Sequence, residues 1–272
     1  MTAESNLKVA IGGLGAIGLK VAQCLDAGEI PGLELGAVSA RDQEKLEHNL
    51  RDFRHKPESV PVERLGDHAD IVIECAPKSV FTAIANSAID NGRTFMPLSV
   101  GALLDNMDLI DRARTSQAVI FVPTGALLGL DAVKAVAEGN VNSITLVTRK
   151  PPTGLTGAPH LIENNIDIGN LQSPLQVFAG SAREAAKAFP ANVNVAAALA
   201  LAGVGAERTS VEVWADPSIT KNMHTINVDS DASSFTMSIE NVPSETPATG
   251  KITALSVIAA LRRFTSPLVV GT

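Results

Sequence analysis

Gly13, Gly15 and Gly18 stand between the apolar run Leu7-Lys8-Val9-Ala10-Ile11-Gly12 and the amphipathic run Leu19-Lys20-Val21-Ala22-Gln23-Cys24-Leu25. Their spacing, G-x-G-x-x-G, suits a dinucleotide pyrophosphate. Gly13 allows a tight turn out of a strand, and Gly15 removes the side chain that would block the phosphates. Gly18 lets the following helix pack close to the strand. The amide N–H groups of Ala16, Ile17 and Gly18, at the start of that helix, then point at the phosphates with the helix dipole behind them. A glycine-rich turn alone is weak evidence, because the same spacing serves structural βα turns. The strand before it and the helix after it favour the dinucleotide.

The residues that close the second apolar run bear on which dinucleotide. NAD-binding folds place an acid about 20 residues beyond the glycines to hold the adenosine 2′-OH. Here Ser39, Ala40, Arg41 and Asp42 occupy that stretch. An arginine pairs bidentately with a 2′-phosphate and a serine donates to it, which favours NADP, or use of both cofactors, over NAD alone. The alternative is that Asp42 reaches back to the ribose while Arg41 is a solvated charge. Ala76 and Pro77, at the end of the next apolar strand, fall near the nicotinamide ribose by topology.

Further along, polar residues sit in Gly- and Ala-rich surroundings: Thr124-Gly125-Ala126, Asn192-Val193-Asn194, Ala215-Asp216-Pro217, Asn222-Met223-His224 and Asn241-Val242-Pro243-Ser244. No His/Cys/Asp cluster has metal-ligand spacing, so no metal is expected, and no G-x-S-x-G elbow points to a hydrolase. Imidazole has the unperturbed pKa nearest neutrality. Of the histidines, His48, His55 and His68 lie in polar segments of the first half, and His160 lies in a long loop. His224 follows Lys221-Asn222 in a polar turn leading into a strand. Asn192 and Asn194 open an Ala-rich helix, where one amide can cap the helix and the other can bond a carboxamide.

These residues need elements to hold them. In the first half, strand-like runs at 33–39, 69–76 (stopped by Pro77), 94–99 and 119–122 alternate with helical runs at 43–52, 80–91 and around 106–116. Such alternation predicts an α/β fold with a Rossmann-type parallel sheet and helices on both faces. From about Gly125 the pattern changes. A helix at 130–138 and a strand at 143–148 precede a Gly-, Pro- and Asn-rich loop through 170. A strand at 175–179 and helices at 182–189 and 193–202 follow. Three strand-like runs then bunch together at 210–214, 224–228 and 235–239, which predicts a second α/β domain with a mixed sheet. A helix at 252–263 closes the pattern.

With 272 residues and 45% hydrophobic composition, the chain suffices for one large or two medium domains. A net charge of −7 with thinly spread Lys and Arg argues against a nucleic-acid partner. The longest apolar stretch, 195–206, is too short to span a bilayer and no secretory leader is visible, so a cytoplasmic protein without membrane contact is expected. Cys24 and Cys75 read as buried thiols in a reducing compartment.

Taken in order, the opening glycine turn, Pro123-Thr124-Gly125-Ala126, Gly129-Leu130-Asp131-Ala132, Thr148-Arg149-Lys150-Pro151-Pro152, Phe189-Pro190-Ala191-Asn192-Val193-Asn194-Val195-Ala196, Ala215-Asp216-Pro217, Asn222-Met223-His224 and Asn241-Val242-Pro243-Ser244 resemble the L-aspartate dehydrogenase family across nearly the whole chain. The resemblance implies a dinucleotide-binding domain at 1–124 and 245–272, rejoined by the C-terminal helix, and a catalytic and oligomerisation domain at 125–244. It also implies NAD(P)-dependent, reversible oxidative deamination of aspartate to oxaloacetate through iminosuccinate, a product that can feed NAD biosynthesis. The family's catalytic histidine falls on His224, and its cofactor-contacting alanine and asparagine fall on Ala126 and Asn194. Thr124 stands where many relatives have serine, and the missing acid after strand two departs from strict NAD use. A dicarboxylate substrate needs cationic partners, for which Arg149, Lys150 and Lys221 are the candidates, with Asn192 beside them. A homodimer or higher homo-oligomer is expected. Dihydrodipicolinate reductase-like and homoserine dehydrogenase-like enzymes share the architecture, though the 189–198 run argues against both. A catalytically silent NADP-binding protein is the alternative from another class.

Overall fold

The computed structural model describes residues 6–190, 193–243 and 250–272. The chain divides into two units, one taking it up to Pro123 and again over Ala254–Val269, the other taking Thr124–Thr253 and Val270–Thr272. In the first unit the order is β1 (Leu7–Gly12), α1 (Ala16–Asp26), β2 (Leu33–Ser39), α2 (Gln43–Asn49), β3 (Glu58–Ser59), β4 (Ile71–Glu74), α3 (Phe81–Asp90), β5 (Thr94–Pro97), α4 (Val100–Leu104), α5 (Asp108–Ser116) and β6 (Val119–Ile120). Among the described residues, six parallel strands form a sheet in the order β3-β2-β1-β4-β5-β6. The Rossmann-type sheet expected from the alternation is present. Its strand order reverses between β1 and β4, and such a switch point opens a crevice at the carboxyl ends of the strands.

Burial explains why the central strands read as continuous apolar runs. Val9–Gly12 of β1 and all of β4 are buried, as helix-covered strands of a parallel sheet must be. Val9, Ile11 and Ile73 share a core with Val21 and Leu25 of α1 and with Val257 and Leu261 of the chain's last helix. Elsewhere in the unit, Phe81 of α3 meets Phe95 of β5 edge-on, with ring centroids 5.7 Å apart. Two elements escaped the sequence patterns. All five residues of α4 are buried, so no polar position marks its period. Both residues of β3 are exposed, so no apolar residue marks that strand.

The second unit runs α6 (Leu130–Ala137), β7 (Val141–Lys150), α7 (Pro159–Glu163), β8 (Leu175–Ser181), α8 (Ala182–Ala188), α9 (Asn194–Ala202), β9 (Thr209–Ala215), β10 (Asn222–Ser230) and β11 (Ser234–Asn241). Its strands pair in the order β11-β10-β7-β9-β8. Only β7 and β9 are parallel, so this is the mixed sheet expected. β7 and β10 are longer than their apolar runs suggested, because each carries the alternation into polar residues at its end. The loop after β7 is not featureless. Pro159 starts the short α7, and Leu155 and Leu161 anchor the segment by burial. Ser181 and Glu184 form a capping box that turns β8 into α8. The last helix, α10 (Ile252–Arg263), spans the predicted residues, and from Ala254 onward it belongs to the first unit.

The glycine turn after β1 is shaped by close approach. Gly13 has φ +97°, and a Cβ there would stand 2.6 Å from the Cys75 carbonyl oxygen. A Cβ on Gly18 would overlap the Gly13 carbonyl oxygen, whereas one on Gly15 would meet nothing within 4 Å. Gly18→Ala is therefore expected to destabilise by about 1–3 kcal/mol, and Gly15→Ala by under about 1 kcal/mol. Urea midpoints of the two variants against wild type check this. Equal losses would mean that contact with the Gly13 carbonyl does not select the third glycine.

Candidate active site

Backbone turns build the carboxyl edge of the first sheet. The Gly13 N–H donates to the Ser39 carbonyl at 2.7 Å, tying the glycine turn to the end of β2. Among the described residues no side chain caps α1, and no acid stands in its first turn. The N–H groups of Ala16, Ile17 and Gly18 therefore present the positive end of the helix dipole. Gly15 and Ala16 are exposed, and the space beyond Gly15 is open. That combination fits a pyrophosphate. At the end of β2, Ser39 is buried and Arg41 is exposed. The Asp42 carboxylate accepts the Lys45 N–H at 3.0 Å as the N-cap of α2. Ala76 and Pro77 follow β4 at the same edge.

In the second unit, strand alternation determines which side chains meet. Successive residues point to opposite faces, so Ile144, Leu146, Thr148 and Lys150 of β7 share a face with Asn222, His224, Ile226 and Val228 of β10. One end of this face is apolar. At the other end Thr148, Lys150, Asn222 and His224 are only 4%, 4%, 8% and 3% exposed, which places polar groups where water is nearly excluded. His224 lies directly opposite Thr148, and its Nδ1 shares a 3.0 Å hydrogen bond with the Thr148 hydroxyl. This fixes the ring and leaves Nε2 for other work. Asn241, opposite Asn222, is also buried, and its Nδ2 donates to the Ala126 carbonyl at 2.8 Å.

This environment sets the charge states. Burial, followed by the charge of Lys150, lowers the His224 pKa to about 3, so the imidazole rests neutral. Burial lowers the Lys150 ammonium to about 8. A cavity of about 20 Å³ beside Thr148 and Lys150, closed by Leu155, Phe189, Val193 and Val213, has room for one water.

The sheet separates the three cations proposed for the substrate. Lys150 shares the face of His224. Arg149 points to the other face, where its guanidinium lies 4.6 Å from the Trp214 ring centre and 3.6 Å from the Asp216 carboxylate. Lys221 is exposed and paired with Glu240 at 3.2 Å. Glu240 is opposite Met223, again on the face away from His224. Arg149 and Lys221 are therefore not assembled with the imidazole, because each is an odd number of residues from a position that faces it. Asn194 is exposed at the first position of α9, and Ala126 is half-buried. Asn192 and Ser244 lie outside the described residues. Thr148, Asn222 and Asn241 were not singled out as site residues from sequence. Their signal is the run of polar residues continuing the buried positions of β7 and β10, with Asn241 the one buried residue of β11.

Comparison with known proteins identifies the family. The profile of a family described as "Aspartate dehydrogenase, C-terminal" matches residues 131–264, and one described as "Homoserine dehydrogenase, NAD binding domain" matches residues 13–123. An L-aspartate dehydrogenase of Bradyrhizobium diazoefficiens is 56% identical over 271 residues, covering 100% of this chain and 96% of its own length. L-aspartate dehydrogenase 3 of Bordetella bronchiseptica is 50% identical over 272 residues and covers 100% of both chains. The crystal structure of aspartate dehydrogenase from Thermotoga maritima matches with a TM-score of 0.72 at 25% identity, covering 98% of this chain and 100% of that one. With identity of this order sustained from end to end, the chain belongs to the L-aspartate dehydrogenase family.

Proposed function

We propose that the protein is an NAD(P)-dependent L-aspartate dehydrogenase, interconverting L-aspartate with oxaloacetate and ammonia through iminosuccinate. The observation that carries this is a neutral imidazole and a buried ammonium on one dry sheet face, in a chain of this family. Residues 1–124 and 245–272 hold the dinucleotide and residues 125–244 supply the chemistry, in the cytoplasm, as a homodimer or larger homo-oligomer.

A bound oxidised nicotinamide would supply the acceptor for the hydride that leaves the substrate Cα. That departure requires the amine to be neutral, and it produces an imine. Water then adds to the imine carbon. His224 takes a proton from the attacking water through Nε2 and passes it to the substrate nitrogen. The same imidazole then takes up the carbinolamine hydroxyl proton as the C–N bond breaks and ammonia leaves, so one imidazole that starts neutral serves both steps. Thr148 keeps the ring oriented through Nδ1. Lys150 pairs with a substrate carboxylate, and the low exposure of its surroundings strengthens that pair. Ala126 and Asn194 contact the cofactor, and Asn192 stays in the substrate set by resemblance alone. For the dinucleotide, NADP is favoured over NAD. Capping of α2 already engages the Asp42 carboxylate, and the neighbouring Arg41 is exposed at the end of β2.

Three measurements test this. His224→Ala is expected to lower kcat for NADPH oxidation with oxaloacetate and ammonia by about 10²–10⁴-fold while NADPH still binds. Activity near the wild-type level would remove the histidine from the chemistry. Lys150 is charged below pH about 8 and loses its charge above it. Thus kcat/KM for oxaloacetate, at saturating ammonia and NADPH, should fall as pH rises through that value. Lys150→Arg should move the fall to higher pH, because a guanidinium stays charged. A profile that is flat there would exclude Lys150 as the carboxylate partner. Arg41→Ala should weaken NADPH about tenfold and leave NADH unchanged in parallel titrations. Equal effects on the two would defeat the role of Arg41 in 2′-phosphate binding.

A further inference from the structure

Glu74 ends β4 at the carboxyl edge of the first sheet and is fully buried. Four donors converge on its carboxylate. The Ala76 N–H and the Ser99 hydroxyl, each at 3.0 Å, reach Oε1. The Ser99 N–H at 2.8 Å and the Leu98 N–H at 3.2 Å reach Oε2. Three of the four are backbone amides, which can only donate, so the pocket solvates an ionised carboxylate. Burial raises the pKa of this carboxyl above the usual carboxylate value, and the donors on Ser99, Ala76 and Leu98 offset that rise only in part.

Such a group has two consequences. It ties the turn after β4, which contains Ala76 and Pro77, to the turn after β5, which contains Leu98 and Ser99. Those turns flank the crevice beside the β1–β4 switch point, where the glycine turn packs against the Cys75 carbonyl. It also leaves a negative charge beneath that edge, and buried charges are poorly screened. A nicotinamide ring is cationic when oxidised and neutral when reduced, so a fixed negative charge nearby acts on one form more than the other.

We propose that Glu74 is a positioning residue that holds these two turns at the nicotinamide end of the cofactor and biases the site toward the oxidised dinucleotide. This rests on the first unit being the dinucleotide holder. The test is titration of the full chain with NADP⁺ and NADPH, followed by fluorescence, for wild type, Glu74→Gln, Glu74→Asp and Ser99→Ala. Removing the charge in Glu74→Gln should raise the Kd for NADP⁺ about tenfold more than that for NADPH. Glu74→Asp keeps the charge but withdraws it by one methylene. It should weaken both forms while nearly preserving their ratio. Ser99→Ala keeps Glu74 intact and loses one tether, so it should weaken both forms by about threefold and provides the test if Glu74→Gln does not fold. Equal weakening of both forms by Glu74→Gln would overturn the charge bias. Unchanged affinities in Glu74→Gln, or in Ser99→Ala, would overturn the positioning role. Wild type binding neither nucleotide would instead remove the dinucleotide assignment itself, a separate and visible failure.

Discussion

An imidazole and an ammonium are held together on a nearly dry sheet face, and the rest of the second unit serves that arrangement. Removing either ion from water is costly, and burial opposes the charged form of each. The imidazole yields completely and rests neutral, whereas the stronger base keeps its charge up to about pH 8. The face therefore carries one neutral base and one cation near neutral pH. In water the two would differ far less usefully, because the histidine would be partly protonated near neutrality.

Register is what makes this possible. His224 meets Thr148 because β7 and β10 pair antiparallel with those residues opposite one another. A slip of one residue would turn every side chain of β10 to the other face and replace His224 with Met223 or Thr225. Ile226 and Val228, buried further along β10 opposite Leu146 and Ile144, oppose that slip because both would lose their cover. The apolar half of the face thus specifies the position of the polar half. Asn241 extends the arrangement by binding the Ala126 carbonyl, so the third strand of the patch holds the 124–127 turn by a single amide.

The first unit answers a different demand, that of bringing backbone close to phosphate. Its turns are held by contacts that leave little room for side chains, from Gly13 against Cys75 to Gly18 against the Gly13 carbonyl. The Gly13–Ser39 hydrogen bond joins the glycine turn to β2, and Glu74 joins the turns after β4 and β5. Helix dipole and backbone amides provide the positive potential there, with no lysine or arginine in the first turn of α1.

Much of this was legible in the amino acids themselves. The glycine spacing, the apolar runs of β1 and β4 and the periodicity of α10 each follow from short-range sterics or from the need to cover apolar surface, so their patterns survive in the linear sequence. The motifs around Asn222-Met223-His224 and Thr148-Arg149-Lys150 likewise marked segments that the structure pairs across β7 and β10. What they left undecided was which member of each segment takes part. Lys150 and Arg149 are adjacent and chemically alike in sequence, yet one faces the histidine and the other stacks on Trp214. Only the pairing of distant strands assigns each to a face. Glu74 and Thr148 were silent for a related reason, since a buried polar residue looks unremarkable until the donors around it are assembled from elsewhere in the chain. Local chemistry therefore determined the elements and the kinds of groups available. Long-range register and burial decided which groups meet and in what charge state, because those depend on neighbours that the linear order does not contain.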